Sequence, residues 1–295
     1  MPNLKEYILA NKLGTIYENA SFKNLTTLGI GGLIKYLYIP NSISSLIKSY
    51  KYIFEHNIKF FIIGNGSNIL VDDKYFDGIV ISLRKLNNFS VIEDILKIEA
   101  GASYIDLVYL LKNNIGGFEE IATIPGTIGG MIYGNAGCFK KEISDILIDV
   151  TFIDSNGNIK TIENKDLNFG YRYSIFKENK FLILSATFKI NHNSDYNYYK
   201  YLMNQRRLKQ PIGEKNAGSL FKNKFELPCW KIIDLLNLRG YCINDAAIST
   251  KHANFIINKK DSTFFDMYKL INLIKEKAEL LNYNLELELE IIKFS

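Results

Sequence analysis

TIPGTIGGMIYGNAGCF, running from Thr123 to Phe139, holds five of the chain's 20 glycines among apolar residues. Glycine inside a regular element costs stability, so such a cluster marks a forced backbone geometry or a close approach to something. A second small-residue segment, Gly64-Asn65-Gly66-Ser67-Asn68, follows the apolar run KFFIIG. Its successive N–H groups can form a concave nest for an anion. This is no dinucleotide fingerprint, because GxGxxG would need glycine where Ile69 stands, and no GK[ST] follows either cluster. Taken alone, GNGSN reads more readily as a plain tight turn. Two such segments in one unit suit a large ligand with several phosphate and ring contacts, and a tightly packed corner of a barrel is the competing explanation.

Outward from these segments, the first half of the chain alternates strand and helix. KYLYIP, KFFIIG, GIVISL and ILKIEAG read as short apolar strands. SISSLIKSYKYIFEHN reads as a helix capped by Ser42, and SYIDLVYLLKNNIGG as one capped by Ser103 and stopped by Gly116 and Gly117. From Leu147 hairpins take over, with ILIDVTFI and IKTI joined at SNGN. Near Asp195 a polar stretch leads into a helix. Further helices are expected around CWKIIDLLNL and from Thr263, where Asp266 sits three residues on as a capping partner. The pattern is α+β, with a nucleotide-binding front part and a smaller C-terminal part divided near residue 200.

The 295 residues carry a net charge of +5, with basic and acidic groups interspersed. That balance attracts a phosphate-bearing small molecule but shows no basic block of the kind that grips nucleic acid. Cys138, Cys229 and Cys242 form no CxxC pair, and the three histidines are scattered, so neither a zinc site nor a disulfide framework is expected. No apolar run approaches the roughly 20 residues of a membrane-spanning helix. The first twenty residues carry charges where a signal peptide would be apolar, so a cytoplasmic protein is expected.

The motifs NLTTLGIGG, GNGSNILVDD, IPGTIGGMIYGNAG, GYRYSIF, NAGSLFKN and STKHANFIIN occur in one order. In that order the chain resembles the UDP-N-acetylenolpyruvoylglucosamine reductases, the MurB family, over nearly its whole length from about Asn24. The short spacing after Ser174 looks like the family's type II form. The resemblance implies a vanillyl-alcohol-oxidase-type FAD-binding fold of two α+β subdomains, residues 1–70 and 71–200. A substrate domain, residues 201–295, would follow, with a last strand that can return to the FAD unit. It implies non-covalent FAD, NADPH as hydride donor, and a UDP-sugar substrate whose enolpyruvyl ether becomes UDP-N-acetylmuramate for peptidoglycan. A monomer is expected.

By the same resemblance Asn65, Gly66, Ser67, Asn68 and Ile69 would hold the pyrophosphate side of FAD. Pro125, Gly126, Thr127, Gly129, Gly130, Asn135, Ala136 and Gly137 would pass close to the flavin. There the missing Cβ atoms would let main chain reach a flat cofactor. Arg172 in GYRYS would hold the substrate carboxylate, as a planar guanidinium can pair two oxygens at once. Ser219 in NAGSLF would donate a proton to the carbanion, a task for which a hydroxyl needs a rigid approach and a neighbour to relay protons. Lys209 and Asn223 would meet the UDP part. Glu286, Glu288 and Glu290 alternate with apolar residues and are expected on one strand face, which turns apolar at Ile292 and Phe294. Glu290 is the expected catalytic carboxyl and Glu288 the alternative. The chain departs from the family pattern at Trp230, at Asn244-Asp245 and at Ser295. Two rival functions are an FAD oxidoreductase of the same fold acting on a hydroxy acid or sugar lactone, and a non-catalytic nucleotide-sugar binder.

Overall fold

The computed structural model describes residues 4–179, 181–224 and 226–294. Ser295 lies outside the described residues. The chain forms two compact units built from interleaved segments. The first comprises Met1–Asn19, Lys35–Asn65 and Asp77–Met203, and the second Ala20–Ile34, Gly66–Phe76 and Asn204–Ser295. One change of unit falls at 203/204, inside the helix Tyr196–Lys209. No unit boundary falls at 70/71. The chain changes units at 65/66 and at 76/77 instead, because the short strand Ile69–Val71 pairs with a strand from the far end of the sequence.

In the first unit one sheet takes the order Gly14–Ser21, Leu33–Pro40, Phe76–Ser82, Phe60–Ile63. Phe60–Ile63 runs parallel to Phe76–Ser82, with Ile63 opposite Ser82. The helix Ile43–Glu55 begins at Ser42, whose side chain accepts from the Ser45 N–H, and it buries Leu46, Ser49, Tyr50 and Ile53 on one face. A second sheet of five strands has the order Ile159–Glu163, Leu147–Ile153, Leu182–Lys189, Ile95–Glu99, Phe89–Ile92. Its neighbours are all antiparallel. The helix Tyr104–Lys112 starts with a reciprocal cap, Ser103 and Asp106 each bonding the other's backbone N–H.

The SNGN hairpin forms as expected, yet Asp154 organises it. Its Oδ1 accepts from the Asn156 and Asn158 N–H groups, both at 2.9 Å, and Lys160 pairs with its Oδ2 at 2.8 Å. The bond from Lys160 and those backbone donors hold the Asp154 carboxyl at about 2. A depressed folded pKa gives stability that is present above the unfolded value and lost as pH falls. The native chain is therefore expected to lose stability between about pH 4, the unfolded aspartate value, and pH 2. Asp154→Asn should flatten that part of the acid-unfolding curve followed by circular dichroism. An unchanged curve would exclude this role.

In the second unit a four-stranded antiparallel sheet has the order Lys215–Asn216, Ile256–Asn258, Ala246–Ile248, Cys242–Ile243. The helices Cys229–Leu235 and Phe264–Glu279 bury Ile232, Ile233, Met267, Leu270, Ile271 and Ile274 in the same core. Thr263 and Asp266 make the capping pair read from the sequence. A separate two-stranded sheet joins Ile69–Val71 to Glu290–Ile292 in parallel, Ile69 opposite Glu290. Phe294 finishes it, its ring 5.5 Å from that of Phe22 and 4.5 Å from that of Phe76. Among the described residues no helix is long and apolar enough to cross a membrane.

Candidate active site

The residues singled out from the sequence fall into two groups, one in each unit. In the first unit the two glycine segments meet. The Asn65 side-chain amide donates to the Gly126 carbonyl at 3.2 Å. A Cβ on Gly64 would lie 2.3 Å from the Thr127 hydroxyl, which explains glycine there without any ligand. Arg84, which no sequence signal marked, donates to the Gly64 and Asn65 carbonyls at 3.1 and 3.2 Å and fixes the end of the Phe60–Ile63 strand.

Thr123–Phe139 is less a loop than the sequence suggests, since Ile128–Tyr133 is a short helix capped by Thr127. Gly129 belongs to its first turn because the Ala100 carbonyl accepts its N–H at 2.8 Å, and a Cβ would press on Ala100 at 3.1 Å. Gly137 faces the Lys141 carbonyl and the Glu142 side chain, each 2.7 Å from where its Cβ would stand. Contacts within the protein thus account for these two glycines, where a flat cofactor had been the expected cause. Gly130 differs: it is exposed, and beyond its own capping threonine it leaves its side open.

Arg172 stands beside this segment. Its backbone sits at φ +57°, a left-handed conformation that costs a non-glycine residue about 1 kcal/mol or more. The surroundings hold it there. Nη2 donates to the Gly137 carbonyl at 2.9 Å and Nη1 to the Asn135 carbonyl at 3.5 Å. Glu142 Oε1 lies 3.5 Å from Nη1, and the guanidinium sits 4.9 Å above the Tyr171 ring. Asn135, only 1% exposed, donates to the other Glu142 oxygen at 2.8 Å and to the Gly170 carbonyl at 3.0 Å. The Arg172 side chain is 20% exposed, so it is fixed and still reachable. Glu142 was not foreseen, because its partner is thirty residues away and a lone Glu before ISD carries no signal.

In the second unit NLTTLGIGG and GNGSN come together. Gly66 takes φ +59°, its carbonyl accepts the Thr27 N–H at 3.1 Å, and a Cβ would strike the Leu25 carbonyl at 2.3 Å. The N–H groups of Gly66, Ser67 and Asn68 donate to no acceptor among the described residues. Three successive unspent donors are what a pyrophosphate needs, so these residues fit an FAD.

Ser219 follows Gly218, which takes φ +77°. Buried Asn254 holds the next two residues: its carbonyl accepts the Leu220 N–H at 2.8 Å, and its side-chain amide pairs with the Phe221 N–H and carbonyl at 2.9 and 2.8 Å. Ser219 is half-buried, and its hydroxyl bonds no partner among the described residues. Along this segment runs the chain end, with Phe221 opposite Leu287 and the Glu288 N–H on the Leu220 carbonyl at 2.9 Å.

The expected single face of alternating glutamates does not form. At Leu289 the chain leaves the Leu220–Lys222 segment for the Ile69–Val71 strand, so only Glu290–Ile292 is strand. Exposed Glu286 binds Lys222 and Lys224, which hold its carboxyl below the usual range. Glu288 and Glu290 are both half-buried. Asn223 spends its side-chain oxygen on the Cys229 N–H at 2.9 Å, at the start of a helix. Lys209 is exposed at the end of its own helix.

Residues 34–163 match the model of an FAD binding domain. Residues 210–292 match that of the UDP-N-acetylenolpyruvoylglucosamine reductase C-terminal domain. A reductase of that name from Caldanaerobacter subterraneus is 38% identical, covering 92% of this chain and 91% of its own. The one from Fusobacterium nucleatum is 35% identical, covering 94% and 98%. The crystal structure of the Thermus caldophilus MurB superposes with a TM-score of 0.79 at 26% identity, over 95% of this chain and 98% of its own. A berberine bridge enzyme variant superposes on 64% of this chain and 43% of its own with a TM-score of 0.51 at 17% identity, which shows the fold alone. The fold is the one expected, a vanillyl-alcohol-oxidase-type FAD-binding fold with a smaller C-terminal domain.

Proposed function

Since the chain belongs to the UDP-N-acetylenolpyruvoylglucosamine reductase family and is an FAD-dependent oxidoreductase, we propose that it reduces the enolpyruvyl ether of UDP-N-acetylglucosamine to UDP-N-acetylmuramate with NADPH as donor. Bound FAD supplies the passage of electrons from NADPH to the sugar substrate. The remaining work belongs to side chains and main chain. Asn65 and the N–H groups of Gly66, Ser67 and Asn68 hold the pyrophosphate, with Ile69 beside them. Pro125, Gly126, Thr127, Gly129 and Gly130, with Asn135, Ala136 and Gly137, line the flavin.

Arg172 takes the substrate carboxylate and the negative charge that grows next to it as the vinyl carbon is reduced. Ser219 delivers the proton that completes the saturated product, and Glu290 replaces it, with Glu288 the alternative. Lys209 and Asn223 meet the UDP part. The observation that carries these assignments is Arg172: a guanidinium clamped by two carbonyls and a carboxylate, in a strained backbone, on a side chain that stays 20% exposed. Such strain persists only where the surroundings over-determine it, and it gathers at working sites.

In the cell the product would feed peptidoglycan precursor synthesis in the cytoplasm, on which wall growth, shape and division depend. The expected species is a monomer. The test is direct. The purified yellow protein, kept anaerobic, should bleach with NADPH and regain colour when the enolpyruvyl UDP-sugar is added. Flavin that bleaches and stays bleached with that substrate would overturn the substrate assignment, and protein that takes up no FAD would overturn the whole reading.

A further inference from the structure

Asn68 belongs to the segment whose N–H groups suit the pyrophosphate, yet its side chain is committed elsewhere. Nδ2 donates to the Glu288 carbonyl at 2.9 Å, and the Asn68 carbonyl accepts the Glu290 N–H at 3.0 Å. These two bonds fall where the chain end changes partners. Before them, the Glu288 and Leu289 N–H groups both reach the single Leu220 carbonyl, at 2.9 and 3.3 Å. After them comes a parallel ladder of only three residue pairs, Glu290–Ile292 beside Ile69–Val71. A crossing made of one shared carbonyl and three pairs is weakly specified by backbone alone. The Asn68 amide adds a side-chain tie to it, and Leu220, the residue after Ser219, is bonded to the same crossing.

We propose that the Asn68 side chain is a positioning residue for Glu290 and Ser219. It staples the terminal strand to the strand leaving GNGSN, and so sets the backbone from which both proposed proton-handling side chains extend. One consequence is a mechanical link. Of the three residues that offer N–H groups to a pyrophosphate, Asn68 also carries the bonds that seat Glu290. The inference rests on the functional reading above only for what Glu290 and Ser219 do, since the staple itself is geometry within the second unit.

Asn68→Ala tests it, because alanine keeps the backbone N–H and removes only the side-chain donor. The FAD-loaded variant and wild type are compared by hydrogen–deuterium exchange, and the FAD-free chains by fluorescence titration with FAD. Loss of this one exposed hydrogen bond should raise exchange in 286–292 and 217–222 about three- to tenfold. The rate at which the sugar substrate restores flavin colour should fall by a similar factor at saturation, with KM for the UDP-sugar little changed. The FAD dissociation constant should move less than about twofold, within the range of a side chain that makes no contact with the anion. Exchange unchanged in both segments would overturn the staple. A tenfold loss of FAD affinity without altered exchange would do the same and return the side chain to the pyrophosphate. Should wild type itself fail to respond to the sugar substrate, the functional reading fails, and the exchange data still decide the role of Asn68.

Discussion

Arg172→Lys should slow the recolouring of flavin by the enolpyruvyl UDP-sugar by about 10²- to 10³-fold, the usual consequence of removing one preorganised donor from a developing anion. The protein should stay yellow. Lysine keeps the positive charge but not the planar fork, so it cannot at once hold the Gly137 carbonyl and pair both oxygens of a carboxylate. Glu142 sharpens the effect. Lying 3.5 Å from Nη1, it orients the guanidinium and, through Asn135, also fixes the segment that supplies the two acceptor carbonyls. A lysine ammonium would be drawn toward that carboxylate, with no second nitrogen left for the substrate. Stopped-flow absorbance under anaerobic conditions, on enzyme first reduced with one equivalent of NADPH, isolates the step. A loss under threefold would remove Arg172 from the charge-stabilising role.

Ser219→Ala should leave the UDP-sugar bound with near-normal affinity while lowering the same rate by about 10²- to 10⁴-fold, the range of a positioned general acid. The hydroxyl costs little to remove structurally. It bonds no partner among the described residues, and the backbone around it is held by Asn254 rather than by the serine itself. A fold defect is therefore not the expected cause of the loss, and the unfolding temperature should shift little. Glu290→Gln should lower the rate as well, and the double variant should fall only slightly below Ser219→Ala. Groups that serve one proton transfer are not additive when removed together. Independent, multiplying losses would show that Glu290 does not act through Ser219. An unchanged rate in Ser219→Ala would leave solvent as the proton source.

Local chemistry made much of the fold legible. Ser42, Ser103 and Thr263 each start the helix that their position announced, because an N-cap bond spans only two or three residues. The SNGN turn closes its hairpin for the same reason of short range, although Asp154 rather than the glycine does most of the bonding. The candidate site was legible as residue types in order: two small-residue segments, an arginine, a serine and a terminal glutamate.

Tertiary pairing decided what that list could not. Alternation along YNLELELEIIKFS implies one long strand, but alternation carries no information about a change of partner. At Leu289 the chain passes from Leu220–Lys222 to a ladder of only three residue pairs beside Ile69–Val71. The unit boundary moved with it, since a strand near residue 70 is completed by one near residue 290. Likewise, five glycines in seventeen residues announce crowding but not what crowds them. Gly129 answers to Ala100 and Gly137 to Glu142, while Gly130 alone among these three keeps an open side. Sequence by itself determined the caps and the turn, which depend on neighbours a few positions away, and motif order supplied the candidate residues of the proposed site. Only the folded chain decided that Glu142 clamps Arg172, that Asn254 holds the backbone after Ser219 and that Asn68 seats Glu290. Each of those rests on a hydrogen bond or ion pair between residues 30 to 220 positions apart, fixed by the packing of whole elements and not by any spacing along the chain.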